Sequence, residues 1–287
     1  PKPTADFTVS ENCEGLATMI FDNSTVSNDS IVKYEWNMGD ASTSNLKNVS
    51  HIYSQAGDYD ITLVVTTKGV CTDTITKSTT IHEQPTADFT IASVCLNELS
   101  EFKDNSSIVG TATLSYDWDF GDGAGSSTLT NPEYEYQSTG GYTIELKVTS
   151  SDGCIDSVNK STTIYMLPDA DFDFDNACLG DDVEFTNKSK IGSGSLTYEW
   201  DFDDANTSTT ISPSNTYSAA GTYDVQLVAT SNRGCTDTVT QEVETYGLPT
   251  ADFNFASACE GEFVAFSDNS SNPTSSKLTY DWDFDNG

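Results

Sequence analysis

The sequence predicts an all-β protein, made of tandem immunoglobulin-like β-sandwiches arranged end to end as a rod, and three observations predict it. The four tryptophans, Trp36, Trp118, Trp200 and Trp282, are each separated by 82 residues, and a fixed period of this length indicates tandem repeats. Apolar residues alternate with polar ones in every copy, which is the period of a half-buried strand. No stretch shows a helical period, and the residues typical of strands and turns are abundant.

The repeat also predicts the domain boundaries. The segment Pro3–Phe7 returns at Pro85–Phe89, Pro168–Phe172 and Pro249–Phe253. We therefore expect sandwiches at residues 1–83, 84–166 and 167–247, and the N-terminal part of a truncated fourth at 248–287. A copy of 82 residues is large enough to bury its own core, so the copies should be separate domains in tandem and not a solenoid. The fourth copy lacks the two long strands of the others, so we expect the natural chain to continue.

Strand signals recur inside each copy. The clearest is a seven-residue alternation from Tyr59 to Val65, repeated from Tyr142 to Val148 and from Tyr223 to Leu227. Shorter alternations precede it, such as Val183 with Phe185, and turn-forming residues follow them. About seven short strands with turn signals every 8–12 residues are typical of a two-sheet sandwich of immunoglobulin-like type.

Short linkers join the copies. His82-Glu83-Gln84 precede one repeat proline, and Tyr165-Met166-Leu167 precede the next. Proline fixes its own backbone dihedral, and three residues are too few for free swinging, so we expect stiff joints.

The charge balance excludes some partners. The chain has 12 basic and 45 acidic residues, a net charge of −33, which repels nucleic acid and anionic membrane surfaces. Such a surface favours solubility outside the cell, with attraction of divalent cations as the alternative. No stretch approaches the 18 apolar residues of a membrane span, so we expect no membrane insertion of this segment.

The seven cysteines follow the repeat. One early and one late cysteine occur in each complete copy, 58, 59 and 57 residues apart. This spacing predicts a disulfide inside each sandwich, with Cys259 pairing beyond the sequence. Free core thiols and a zinc site are the alternatives, although no closely spaced pair typical of zinc ligands exists. Disulfides would place the protein in an exported compartment. The predicted pairs are Cys13 with Cys71, Cys95 with Cys154, and Cys178 with Cys235.

No catalytic constellation is predicted, so we do not expect an enzyme. The two histidines, His51 and His82, occupy different positions of the repeat and do not recur in every copy. No serine or cysteine has a recurring histidine partner that could act as its base. A structural role for His51, at the start of a core-strand motif, is favoured.

An acidic corner after each tryptophan is a candidate metal site. In the second copy Asp119 and Asp122 could supply oxygen ligands to Ca²⁺. The favoured interpretation is that these carboxylates bond amides of the turn, because Asn37 and Asn286 interrupt the carboxylate pattern in other copies. We therefore predict no cofactor, with Ca²⁺ as the alternative.

These motifs resemble the PKD domain, named for polycystic kidney disease protein. Its W-D-F-G-D-G signature is complete at Trp118–Gly123, and its H-x-Y-x-x-x-G-x-Y-x-V-x-L-x-V signature matches from His51 to Val65. The first copy departs at Asn37-Met38, and the third departs at Asp203. The resemblance implies the sandwich fold in all four copies.

The resemblance also implies a place of action. PKD copies with an early and a late cysteine look like those of surface and secreted proteins of Bacteroidota, where arrays form stalks of adhesins exported by the type IX system, including gliding-motility adhesins. An Asp-Ser/Thr-aliphatic triplet resembles the O-glycosylation motif of that group, although an alternating edge strand would carry it equally well. The candidate acceptors are Ser30, Thr74, Ser157 and Thr238.

The function expected from the sequence is a non-catalytic stalk segment of a long cell-surface or secreted adhesin, which supplies length and stiffness. Its partners would be the neighbouring repeats of the same chain, and a surface ligand would be bound by domains outside this segment. The alternatives are a spacer or binding module of a secreted polymer hydrolase and a subunit of a self-assembling surface layer.

Overall fold

The computed structural model describes residues 1–273 and 277–284 of the chain. The corner residues predicted in the fourth copy, Asp285, Asn286 and Gly287, lie outside the described residues. The described part is all-β, and each of the first three copies contains eight strands. In the first copy these are β1 Phe7–Val9, β2 Asn12–Cys13, β3 Ala17–Asp22, β4 Ile31–Asn37, β5 Thr43–Ser44, β6 Val49–Ile52, β7 Gly57–Thr67 and β8 Thr72–His82.

The second and third copies repeat this order. The second contains β9 Phe89–Ile91, β10 Val94–Cys95, β11 Leu99–Asp104, β12 Leu114–Asp119, β13 Ser126–Ser127, β14 Glu133–Glu135, β15 Gly140–Ser150 and β16 Ile155–Tyr165. The third contains β17 Phe172–Phe174, β18 Ala177–Cys178, β19 Asp182–Asn187, β20 Leu196–Asp201, β21 Thr207–Ser208, β22 Ser214–Thr216, β23 Gly221–Ser231 and β24 Thr236–Tyr246.

Each of these copies has one three-stranded and one five-stranded sheet. In the first copy the strand orders are β1-β3-β6 and β2-β8-β7-β4-β5. The long hairpin β7–β8 is antiparallel in a register that pairs Gly57 with Ile81 and Thr66 with Thr72. The very short strand β2 runs parallel to the end of β8, with Cys13 opposite His82. Two-residue strands such as β2 carry too little alternation to be predicted from sequence.

A tryptophan lies at the centre of each core, between the two sheets. In the first copy Trp36 is 2% exposed and packs with Phe7 and Ile20 of one sheet and Leu63 of its own. The ring of Phe7 meets that of Trp36 edge to face, with centroids 5.2 Å apart. The indole N–H groups of the three copies donate to loop carbonyls, at 2.8 Å to Leu46 O, 2.9 Å to Leu129 O and 3.0 Å to Thr210 O.

The fourth copy is described by two short strands, β25 Phe253–Phe255 and β26 Phe266–Asp268. Its Trp282 is 37% exposed, because the described residues of this copy include no counterpart of the long hairpin that covers the other tryptophans. By contacts, the chain forms two compact units, Pro1–Ile164 and Tyr165–Gly287. No helix among the described residues is long and apolar enough to cross a membrane.

Candidate functional site

The two cysteines of one copy lie at opposite ends of its sandwich. Cys13 is opposite His82, where β8 ends, and we call this end the exit pole. Cys71 immediately precedes Thr72, where β8 begins, and we call that end the entry pole. Ten residue steps along a strand span about 33 Å, whereas the Cα atoms of a disulfide are less than about 7 Å apart. A bond between Cys13 and Cys71 would therefore require the sandwich to unfold.

Cys13 is instead bonded to Cys154 of the second copy. The two Cα atoms are 5.8 Å apart, and the residues are separated by 141 positions in the chain. Both cysteines are buried. Cys154 precedes β16 at the entry pole of the second copy, so the disulfide joins the exit pole of one copy to the entry pole of the next. The predicted pairs Cys13 with Cys71 and Cys95 with Cys154 are wrong, because β8 and β16 separate the poles.

The remaining cysteines divide into two groups. Cys95 and Cys235 are buried and disulfide-bonded. Cys71, Cys178 and Cys259 are thiols. The predicted pair of Cys178 with Cys235 is wrong for the same geometric reason, because β18 pairs with the end of β24 and Cys235 precedes its beginning.

Polar contacts of the linker surround the first disulfide. The side-chain N–H of Gln84 donates to the carbonyl of Ile155 at 2.5 Å, and His82 Nδ1 lies 3.8 Å from Asp152 Oδ2. Asp152 and Ile155 belong to the same turn of the second copy as Cys154. Among the described residues, one covalent and two polar contacts thus join the linker end of the first copy to the segment Asp152–Ile155, where β16 begins.

Glu14, next to the disulfide, holds the linker onto the first copy. Its backbone N–H donates to His82 O at 2.9 Å. Its two carboxylate oxygens accept from the N–H of Gln84 at 3.3 Å and of Ala56 at 3.1 Å. These bonds fix the linker at the exit pole, so the joint has little freedom on the side of the first copy.

An aspartate at each entry pole fixes the incoming chain. The carboxylates of Asp73, Asp156 and Asp237 accept hydrogen bonds from the N–H groups of Ala5, Ala87 and Ala170, at 2.9, 2.7 and 2.7 Å. These aspartates begin the Asp-Ser/Thr-aliphatic triplets, so their recurrence has a structural cause.

The glycosylation candidates stay a prediction. Ser30, Thr74, Ser157 and Thr238 are all exposed, so their hydroxyls are accessible to a modifying enzyme.

The linker after the second copy makes a similar contact with different residues. The guanidinium of Arg233 lies over the ring of Tyr165, 5.3 Å from its centroid. Tyr165 takes the position of His82 in the repeat, and Arg233 takes that of Asp152. A cation over an aromatic ring replaces the histidine–carboxylate contact. The position of the contact is repeated while its chemistry changes.

The carboxylates of the acidic corner bond to backbone amides. Asp119 accepts from Gly121 N–H at 2.8 Å, and Asp122 accepts from the N–H groups of Ala124 at 3.0 Å and Gly125 at 2.8 Å. Gly121 has a φ of 77°, and a Cβ there would lie 2.1 Å from the carbonyl oxygen of Thr143, so only glycine fits. Within the described residues no group of three or more His, Cys, Asp or Glu side chains could hold a metal ion.

The residue two positions before the buried core tyrosine bonds to the corner carboxylate, and its identity differs in each copy. In the second copy the hydroxyl of Tyr134 donates to Asp122 at 2.5 Å. This bond lowers the pKa of Asp122, with a further contribution from the corner amides, and raises the pKa of Tyr134 to about 12. In the third copy Asn215 donates to Asp204 at 2.9 Å.

The first copy uses His51 at this position. His51 Nε2 lies 2.7 Å from Asp40 Oδ2, and its ring packs edge to face on Tyr53. Burial raises the pKa of Asp40, but the hydrogen bonds from His51 and Ser42 outweigh it and leave the pKa below its usual value. The contacts of His51 are those of a residue that supports the corner.

Sequence comparison and structure comparison both found relatives. A family model for the PKD domain matches residues 1–81, 82–166 and 165–245. The PKD1 domain of Vibrio anguillarum Epp is 30% identical, with 28% of this chain and 94% of that chain covered and a TM-score of 0.27. The PKD1 domain of the Vibrio cholerae metalloprotease PrtV is 32% identical, with 28% and 98% covered and a TM-score of 0.26. Three N-terminal domains of the bacteriophage RB49 outer capsid protein Hoc are 11% identical, with 86% and 99% covered and a TM-score of 0.41.

The family match covers more than half of the chain and includes every copy that has eight strands. The strand order, the central tryptophan and the acidic corner recur in each matched segment. The chain therefore belongs to the PKD domain family, as three consecutive copies of the domain across residues 1–245.

Proposed function

We propose that the chain is a load-bearing spacer of a cell-surface or secreted protein, as a stalk segment of a long adhesin. PKD domains are generally non-catalytic modules, and tandem copies fit a repeat or spacer role. The observation that carries the proposal is the disulfide between Cys13 and Cys154, which joins facing poles of neighbouring copies. A cross-link at this place resists bending of the joint, which a spacer needs and an isolated binding domain does not.

The same bond supports the proposed location. Disulfides persist in oxidising compartments and are rare in the cytosol, which supports a place of action outside the cytoplasm. The net charge of −33 keeps a long exposed segment soluble and discourages association between like chains. We place the chain at the cell surface, in the class of gliding-type adhesins exported by the type IX system, with the adhesive ligand bound elsewhere.

A distance measurement tests the stiffness of the joint. Leu46 and Leu129 are 67% and 65% exposed, so each can be replaced by an unnatural amino acid that carries a spin label. Double electron–electron resonance would then measure the distance between the first two copies. We expect a narrow distance distribution in the oxidised protein and a broad one after reduction. A pair at Leu46 and Val32, within one copy, is the control and should not change. A broad distribution before reduction would refute the stiff spacer.

A further inference from the structure

We propose that the Cys13–Cys154 disulfide is a load shunt: it carries tension past residues 14–153, which include the central tryptophans of the first two copies, through two segments that are already extended. The inference rests on the proposed spacer function and adds to it the path that force takes. Residues 14–153 lie between the two cysteines in the chain, so an intact disulfide removes all of them from the covalent path.

In the second copy the path is a single strand. Tension that crosses the disulfide reaches Cys154 and continues along β16, Ile155–Tyr165, to the linker. This strand is paired with β15 over ten residues and lies between β10 and β15 in the sheet. A strand rises about 3.3 Å per residue and a fully stretched chain about 3.6 Å, so β16 can lengthen by only about a tenth.

In the first copy the path is the first thirteen residues. The chain enters at the pole where Asp73 holds Ala5, and Cys13 lies at the opposite pole beside His82. The segment between them crosses the sandwich through β1 and β2, and it has few residues to spare for that distance. The path through either copy can therefore lengthen only slightly under tension.

The shunt leaves most of both hydrophobic cores outside the covalent path, and only edge members of each, such as Phe7 and Ile164, lie on it. Trp36 and Trp118, together with both long strands β7 and β15, belong to the bypassed residues. Without the disulfide, the same tension would act across the whole of each sandwich. Each domain would then unfold under load, and its full chain would be extended. The disulfide thus limits how far this part of the chain can be extended, and its reduction removes that limit.

Optical tweezers test the proposal on the full chain. One handle is attached at the amino group of Pro1 and the other at Met166, which is 46% exposed, through a clickable unnatural residue. The oxidised path holds 24 residue steps, residues 1–13 and 154–166, and cannot exceed about 90 Å, whereas the reduced path of 165 steps reaches about 590 Å. We expect a more than sixfold difference in the stretched length.

Two variants make the test specific. Cys13→Ser should give the long extension without reductant, and Cys71→Ser, which removes a free thiol, should keep the short one. A long extension of the unreduced natural protein, at forces that leave covalent bonds intact, would overturn the shunt. That result would leave the spacer function standing if the spin-label distribution were still narrow, and both would fall if it were broad.

Discussion

The core of a copy and the joint between copies differ in what the repeat preserves. Each complete copy surrounds its tryptophan with the same strands and gives its indole N–H a loop carbonyl. The joints change their side chains, with His82 against Asp152 at one and Tyr165 against Arg233 at the next. Packing tolerates few shapes, whereas a contact at a solvated joint can be made by several chemistries. Repetition therefore identifies a core more readily than a joint.

Removal of the central tryptophan should have the largest effect and should stay within one copy. Trp118→Ala leaves a large cavity at a fully buried site, and we expect the second copy to lose about 3–5 kcal/mol of unfolding free energy. Hydrogen exchange resolved by peptide would show faster exchange in β12 and β15 and unchanged exchange in the third copy. Val109→Ala, at a 71% exposed position, is the matched control and should change little. A uniform loss across all copies would contradict the independence of the cores.

Loss of the cross-link should affect the joint and the first two copies together. Cys13→Ser removes a bond that closes a long loop, and we expect about 2–4 kcal/mol of lost stability in chemical denaturation. Cys71→Ser removes a thiol and should be close to neutral. Equal losses in the two variants would favour a bond between those two residues and against the cross-copy disulfide.

The hydroxyl of the core tyrosine should contribute to the unfolding free energy of the second copy but little to that of the third. Tyr136 donates to the carbonyl of Phe120 at 2.9 Å in the core of the second copy, whereas the buried hydroxyl of Tyr217 has no acceptor within hydrogen-bond geometry among the described residues and interacts only weakly, with the amide of Asn215. Tyr136→Phe leaves the Phe120 carbonyl without this donor and should cost about 1–2 kcal/mol of unfolding free energy. Tyr217→Phe removes a hydroxyl that donates to no carbonyl and should cost little. Equal costs in denaturant titrations would show that the two cores do not differ in this way.

The acidic corner should make the second copy sensitive to low pH. Hydrogen bonds from Tyr134 and from the corner amides lower the pKa of Asp122, so its contribution is complete above the unfolded pKa near 4 and is lost as pH falls through the folded pKa. Asp122→Asn should therefore cost about 1 kcal/mol at pH 7 and less at pH 2. Exposed Asp117→Asn is the control for loss of charge. A cost for Asp122→Asn that does not shrink in acid would contradict the assignment.

The fold could be predicted from the sequence because its signals are local and repeated. The 82-residue period, the alternation of the long hairpins and the motif after Trp118 each depend on neighbours in the chain. The prediction that carboxylates bond amides in the corner rested on turn chemistry of the same local kind. The side chain that bonds the corner carboxylate could not be predicted, since Tyr134 and Asn215 share a position and little chemistry.

The cysteine pairing could not be predicted from spacing alone. A regular period gives constant separations within a copy and also between neighbouring copies, so both patterns fit the same seven positions. Length along a strand decides between them, because β8 places Cys71 at one pole and the short strand β2 places Cys13 at the other. The long alternation from Tyr59 to Val65, which puts the following cysteine at the far end of a hairpin, was the one available signal.

A peptide map without reductant tests the central claim most directly. Trypsin releases Cys13 in residues 1–33, Cys71 in residues 69–77 and Cys154 in residues 148–160. The structure predicts a reductant-sensitive species that joins 1–33 to 148–160, with 69–77 recovered as a free-thiol peptide. A species that joins 1–33 to 69–77 would contradict the link between copies and restore a disulfide within one sandwich.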